Sequence, residues 1–483
     1  MKATSLFGGV QVFNILFGII RSKIIAVLLG PAGMGIAGLL NSSTGMIGSI
    51  TNFGLSTSAV KNVAEANATG NNQRIATVIS VIGRLVWITG ILGTLITFVL
   101  AQALSKLAFG NPDYTVAFRW VSIILLLGQL SAGKMVVLQG MRKLQYLAKA
   151  NMAASVIGLL VSIPIYYKLG VKGIVPAIII TSIIGLAIVY FYSSKIAIEK
   201  TAVTTAVLKT EGAGMLRMGF LLSLSGLIGL GAAYLLGVFI SRQGGVEQVG
   251  LYNAGFAIIN TYVGLIFAAM ATDYYPRLSA VSNNNKKAAE LINQQAEIGI
   301  LILAPVLILF MVFINTAVLI LYSSKFVAIN GMIQLVALGL FLKAVTWAMG
   351  FMMLAKGNSK IFFYSELVAN IYTLALNMLF YKFFGLNGIG ISFLVCYSLG
   401  VLQTYAIIHW KYEFLFEPAF YKIFLIQFLL AVTCFVLVKY TEGTLKYMIT
   451  FPVIIAASVF SLHELNKKLD IVSLVRSKFK NKK

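Results

Sequence analysis

The sequence predicts an all-α polytopic membrane protein with about fourteen transmembrane helices, and three observations carry that expectation. Of 483 residues, 59% are hydrophobic and only 11% are charged, too few to cover the several soluble domains that a chain of this length would otherwise form. Apolar runs of about twenty residues, enough to cross the hydrocarbon core as a helix, recur along the sequence. The connections between them are short, and none holds an inserted soluble domain. Lipid offers no partner to a bare N–H or C=O, so such segments must close their own hydrogen bonds as helices.

Taken in order, the expected spans are 5–30, 36–60, 75–104, 117–140, 148–167, 173–193, 215–241 and 251–275, followed by 291–321, 329–355, 361–381, 388–410, 421–438 and 445–462. The first run is too long for a removable signal peptide and lacks a small-x-small cleavage pattern, so it counts as a span. The longest connection, 194–214, is assigned to the cytoplasmic face. With the N-terminus inside, Lys and Arg favour the cytoplasmic connections by about three to one, and the even span count puts both termini inside. A net charge of +24 raises nucleic acid as a partner, but the cations sit in short connections and in a lysine-rich tail at 467–483. That tail reads as a topology anchor near anionic lipid, and no nucleic-acid partner is expected. Cys396 and Cys434 both fall inside spans and imply neither a disulfide framework nor a zinc site.

An internal repeat organises the chain. Gly35 matches Gly250, and LGVKGI at 169–174 matches FGLNGI at 384–389, all at one offset that also relates Tyr166 to Tyr381. Six spans separate equivalent helices, so the halves share an orientation. Two six-helix bundles related by an axis along the membrane normal are expected, with a cavity between them. The resulting division is 1–210 for the N-terminal lobe, 211–412 for the C-terminal lobe, and 413–483 for two additional helices and the basic tail.

Four stretches in a fixed order carry a family likeness: RSKIIAVLLGPAGMG at 21–35, NFGLSTSAV at 52–60, GLYNA at 250–254 and YPRLS at 275–279. On these the chain resembles the polysaccharide transporters of the multidrug/oligosaccharidyl-lipid/polysaccharide (MOP) superfamily, most of all the Wzx-type O-antigen flippases. The resemblance implies a flippase in the bacterial cytoplasmic membrane. Its cargo would be an undecaprenyl-diphosphate-linked oligosaccharide, moved from the inner to the outer leaflet by alternating access. It implies as partners that glycan lipid, membrane lipids, a coupling H+ or Na+ ion and other polysaccharide-assembly proteins. Two relatives are the alternatives. Lipid II flippases carry an acid directly after the first-helix arginine, where Ser22 stands here. Multidrug exporters usually have twelve spans and an acidic coupling residue in the N-terminal lobe, whose spans hold none in this chain.

The residues themselves point to an anionic ligand. Arg21, Lys23, Arg84, Lys134 and Lys343 fall inside spans, where each costs on the order of 3 kcal/mol at a helix centre. The first, third and fourth spans hold no Asp or Glu to offset them. Lys23 and Lys134 stand near enough to helix ends to snorkel; Arg84 and Lys343 are deeper. Arg21 and Lys23 point about 200° apart on one helix and do not share a face. Asp273 and Glu366 are the acids considered for a coupling ion, although their place at helix ends favours pairing with Arg277 or Lys360. No catalytic residue is assigned: HExxH, GxSxG, Walker A and paired-carboxylate patterns are missing, and His409 and His463 sit at helix ends in structural positions. No cofactor or metal is expected.

Overall fold

The computed structural model describes residues 2–198 and 201–469. All regular structure among them is helical. Among the described residues, ten stretches are long and apolar enough to cross a bilayer. Four of these, Ile15–Thr51, Leu144–Ser194, Gly226–Ala280 and Ser359–Tyr412, are each interrupted by a glycine with positive φ, and dividing them there gives fourteen spans. Of the basic tail, the part beyond Leu469 lies outside the described residues.

The interruptions repeat the sequence register. Gly30 (φ 65°, ψ −174°) corresponds to Gly245 (φ 82°, ψ 172°). Gly170 (φ 54°, ψ −132°) corresponds to Gly385 (φ 55°, ψ −138°). Positive φ with extended ψ is reached almost only by glycine, so these four residues fix where long helices break. At the second pair the chain reverses: an added Cβ on Gly173 would meet the carbonyl oxygen of Ile165, and one on Gly388 that of Phe380. Eight residues of straight helix would separate such groups by about 12 Å.

Contacts divide the chain into two compact units. The first comprises Met1–Asn253 with Leu321–Lys325. It holds α1 (Lys2–Thr51), α2 (Leu55–Ala68), α3 (Asn72–Val99), α4 (Ala101–Phe109), α5 (Thr115–Val121), α6 (Ile123–Gly140), α7 (Leu144–Leu169), α8 (Ile174–Ser194) and most of α9 (Thr205–Ala280). The second span, expected as one helix over 36–60, is broken at 52–54, where Phe53 and Gly54 adopt φ of 49° and 62°. An ideal Cβ on Gly54 would lie 1.9 Å from the carbonyl oxygen of Gly219, so α9 crosses α2 at a spot where neither chain tolerates a side chain. Asn71 caps α3, accepting N–H bonds from Gln73 and Arg74 at 2.9 and 3.1 Å. Val78, Val81, Ile82, Leu85 and Val86 then recur at three- and four-residue steps and bury one stripe of α3 against Val63 of α2 and Val136 of α6.

One contact in this unit joins the two sequence repeats. A Cβ on Gly35 would sit 1.8 Å from the carbonyl oxygen of Val246, and one on Gly250 would sit 1.8 Å from that of Pro31. Gly35 and Pro31 map onto Gly250 and Val246 in the repeat register, so the contact is reciprocal. Sparse glycine identities in the sequence thus mark a backbone-to-backbone crossing.

The second unit comprises Ala254–Ile320 and Phe326–Lys483, with the end of α9, α10 (Asn285–Leu321), α11 (Asn330–Ala355), α12 (Ser359–Tyr412), α13 (Pro418–Tyr440) and α14 (Gly443–Leu469). Buried residues recur through the length of α11. Gln427 of α13, fully buried, donates to the carbonyl of Ala457 and to Ser461 Oγ at 3.1 and 2.8 Å, which pins α13 to α14. The lobes expected at 1–210 and 211–412 rest on the sequence, whereas the two units rest on packing, which groups the first arm of α9 with the first unit. Cys396 and Cys434 are buried and free.

Candidate functional site

The first unit holds Arg21, Lys23, Arg84 and Lys134. Arg21 is exposed on α1 and lies close enough to the Tyr166 hydroxyl to act on it electrostatically; Lys23 is half-buried. Arg84 stands about 18 Å along α3 from Asn72, on the helix face opposite the buried stripe. Its companions there are Trp87, Ile88, Ile91 and Leu95, all exposed from the protein. Lys134 of α6 points elsewhere, into a groove between α3, α6 and α8, with its ammonium 5.1 Å from the ring centroid of Tyr190. Among the described residues no carboxylate is within ion-pair distance of Arg21, Arg84 or Lys134.

In the second unit Lys343 sits midway along α11, half-buried, with its ammonium 5.7 Å from the rings of both Phe267 and Tyr397. Phe267 begins a run of packed rings that continues through Trp347, Tyr274 and Phe351, and the Tyr274 hydroxyl donates to the carbonyl of Ala348 at 2.7 Å. The run holds Phe267 in place beneath the cation. Two aromatic faces return about 1 kcal/mol each, against the roughly 3 kcal/mol that a mid-membrane charge costs. Lys343 therefore keeps an electrostatic deficit that an anion would fill.

The two acids considered for coupling differ sharply. Asp273 is exposed and pairs with Arg277 at 3.1 Å, the helix-end pairing that its position favoured. Glu366 forms no ion pair with Lys360 among the described residues. It acts electrostatically on Tyr397 and Tyr372, so one ring, Tyr397, lies under the influence of both Lys343 and Glu366. His409 is structural: it stacks on Tyr405 at 5.5 Å and its Nδ1 is 2.9 Å from the Phe414 carbonyl at the end of α12.

A third acid escaped the sequence reading. Glu297 of α10 is only 3% exposed in its side chain and pairs with Lys468 of α14 at 2.5 Å. The signal was present, an acid seven residues inside the ninth apolar run. Its partner comes from the opposite end of the second unit's sequence and could not be read from spacing. The pair borders a polar cavity of about 560 Å³ that also includes Arg277, Glu290, Gln294 and Glu417. No group of His, Cys, Asp or Glu arranged to hold a metal occurs among the described residues.

The geometry is that of a multi-pass membrane protein with cations kept in apolar surroundings. Residues 24–331 match the model of a polysaccharide biosynthesis protein family, and the chain belongs to that family. It is 23% identical over 359 residues to the lipid III flippase of Escherichia coli (strain K12), covering 72% of this chain and 83% of that one, and equally to the lipid III flippase of Shigella flexneri. Among solved structures, the lipid II flippase MurJ in an inward closed conformation matches with a TM-score of 0.72 at 14% identity, over 96% of this chain and 99% of that one. An inward-facing multidrug resistance MATE family transporter of the MOP superfamily matches with a TM-score of 0.63 at 17% identity, over 83% of this chain and 94% of that one. At these identities the structural likeness bears on the fold. The relatives are flippases and transporters, not enzymes.

Proposed function

We propose that this protein is a flippase for an undecaprenyl-diphosphate-linked oligosaccharide, an O-antigen or related surface-polysaccharide repeat unit, carried from the inner to the outer leaflet by alternating access. The observation that carries the reading is that Arg21, Arg84 and Lys343, at membrane depth, have no carboxylate at ion-pair distance among the described residues, in a chain of a polysaccharide biosynthesis family. A diphosphate is the anion such a set suits, because charge-assisted contacts strengthen where water is excluded. Arg21, Arg84 and Lys343 are its principal ligands; Lys23, nearer its helix end, is subsidiary, and Lys134 faces a separate groove. Alternating access needs different affinities in its two states, and cations drawn from both sequence repeats supply groups whose spacing changes between them. Glu366 is the preferred acid for a coupling H+ or Na+, since Asp273 is engaged by Arg277.

The lobes at 1–210 and 211–412 perform the translocation, and 413–483 adds two helices that hold the polyprenyl chain. An apolar hollow of about 570 Å³ on α14, lined by Pro452, Ile455, Val459 and Phe460, supports that role. A lipid II flippase is the second reading, favoured by the fold match over 96% of the chain. Both readings place the protein in the bacterial cytoplasmic membrane with both termini inside, alongside other polysaccharide-assembly proteins. Deleting the gene tests the cargo. Accumulation of a surface-polysaccharide repeat unit on its inner-leaflet carrier is expected, and accumulation of lipid II alone would replace the first reading with the second. For topology, a cysteine at Lys382 should react with an impermeant reagent added outside, and one at Lys143 should not.

A further inference from the structure

The groove that receives Lys134 has a volume of about 580 Å³, within the roughly 300 to 1,000 Å³ of typical small-ligand sites. Its wall is apolar, with Trp87, Leu130 and Ile183 among its members, and inside it stand a single ammonium and the Tyr190 ring. Gly83 of α3 also lines it, and a Cβ added there would meet nothing within 4 Å. A glycine inside a helix costs about 1 kcal/mol relative to alanine. Here neither a positive φ nor a close helix contact requires it; its effect is to leave the groove open.

Depth and charge identify the occupant. Lys134 is six residues before the end of α6 at Gly140, and Tyr190 four before the end of α8 at Ser194, about 9 and 6 Å along their helices. Lys195, beyond Ser194, lies over Phe191 at 4.4 Å, adding positive charge at the same helix end. A lysine at that depth extends its head toward the headgroup layer while its stem stays in the apolar wall. Polarity at the mouth and an apolar interior match a lipid with its head at the surface and a chain running inward. One ammonium with no carboxylate at ion-pair distance among the described residues matches one negative charge, which a phosphodiester carries and a diphosphate exceeds.

We infer that the groove between α3, α6 and α8 is a binding site for one anionic phospholipid, its phosphodiester at Lys134 and an acyl chain along the wall formed by Gly83, Trp87, Leu130 and Ile183. Lys134 then serves the surrounding membrane and leaves the cargo set. The site stands whichever glycan lipid is carried.

Trp87 supplies the readout. The full chain is placed in vesicles containing brominated phosphatidylglycerol or brominated phosphatidylcholine, and the Trp87 share of quenching is taken as the difference between wild type and Trp87→Phe. Brominated phosphatidylglycerol is expected to quench that share at about a tenfold lower mole fraction. Lys134→Gln should abolish the preference and Lys134→Arg should keep it. Gly83→Leu should fill the groove and shield Trp87 from both lipids; if that variant does not accumulate, the two Lys134 variants decide. Equal quenching by both lipids in wild type, or a preference that survives Lys134→Gln, overturns the assignment. So does displacement of phosphatidylglycerol from the groove by equimolar polyprenyl diphosphate, which would make the groove a cargo site.

Discussion

Two lysines of the second unit meet the same difficulty in opposite ways. Lys468 brings its charge to Glu297, a carboxylate almost wholly removed from solvent. Lys343 is surrounded by the faces of Phe267 and Tyr397 and has no carboxylate at ion-pair distance among the described residues. An ion pair completes its own electrostatics and fastens α10 to α14. An aromatic enclosure tolerates the cation yet leaves its field available. On the proposed function, the contrast separates a cation that holds the fold from one that meets the cargo, and it can be broken by substitution.

The largest effect is expected at the closed pair. Glu297→Ala leaves Lys468 without its partner, and breaking a buried pair costs about 3 to 5 kcal/mol. The lower figure applies here, because Lys468 is 25% exposed and can turn toward water. Thermal unfolding of the purified protein should show the loss, and Glu297→Leu combined with Lys468→Met should recover most of it. If the single variant unfolds like wild type, the fastening role is wrong.

Next comes the open lysine. On the proposed function, Lys343→Met removes one charge-assisted contact to the cargo, worth about 1.5 to 3 kcal/mol, which corresponds to roughly a tenfold to hundredfold loss of affinity. Cargo transport should fall by that order while abundance in the membrane holds. Equal falls in both would return Lys343 to a structural role. Lys343→Arg sharpens the point, since charge is kept but the compact head is not; it should transport better than Lys343→Met and less well than wild type.

Asp273→Asn should do least. An exposed pair is worth at most about 1 kcal/mol, and Asp273 is 74% exposed beside Arg277. Transport and thermal stability should both stay near wild type. A large transport defect would restore Asp273 as a coupling acid.

The parts of this molecule legible in the sequence are those that repeat. Gly170 and Gly385, matched in the sequence register, share backbone angles that glycine almost alone reaches, and the same offset relates Gly30 to Gly245, the other pair of helix breaks. The apolar runs carried the spans, and the charges within them identified Arg84, Lys134 and Lys343 as residues needing explanation. Their surroundings were not legible. Phe267 and Tyr397 lie far from Lys343 along the chain, and the groove at Lys134 draws on three separate helices. The break at 52–54 was missed because Phe53 takes a positive φ that its side chain ordinarily avoids. Glu297 stands alone in an apolar run, and its partner Lys468 is 171 residues away in α14, a separation that no local pattern reports.

The central claim is that cations from both repeats meet the cargo's negative charge. Its most direct test is the initial rate at which a polyprenyl-diphosphate-linked oligosaccharide crosses vesicles containing wild type, Arg21→Ala, Arg84→Ala or Lys343→Ala, normalised to inserted protein. Each variant is predicted to transport roughly tenfold to hundredfold more slowly, with Arg84→Lys faster than Arg84→Ala. Wild-type rates from all three alanine variants would contradict the account and make the intramembrane cations structural.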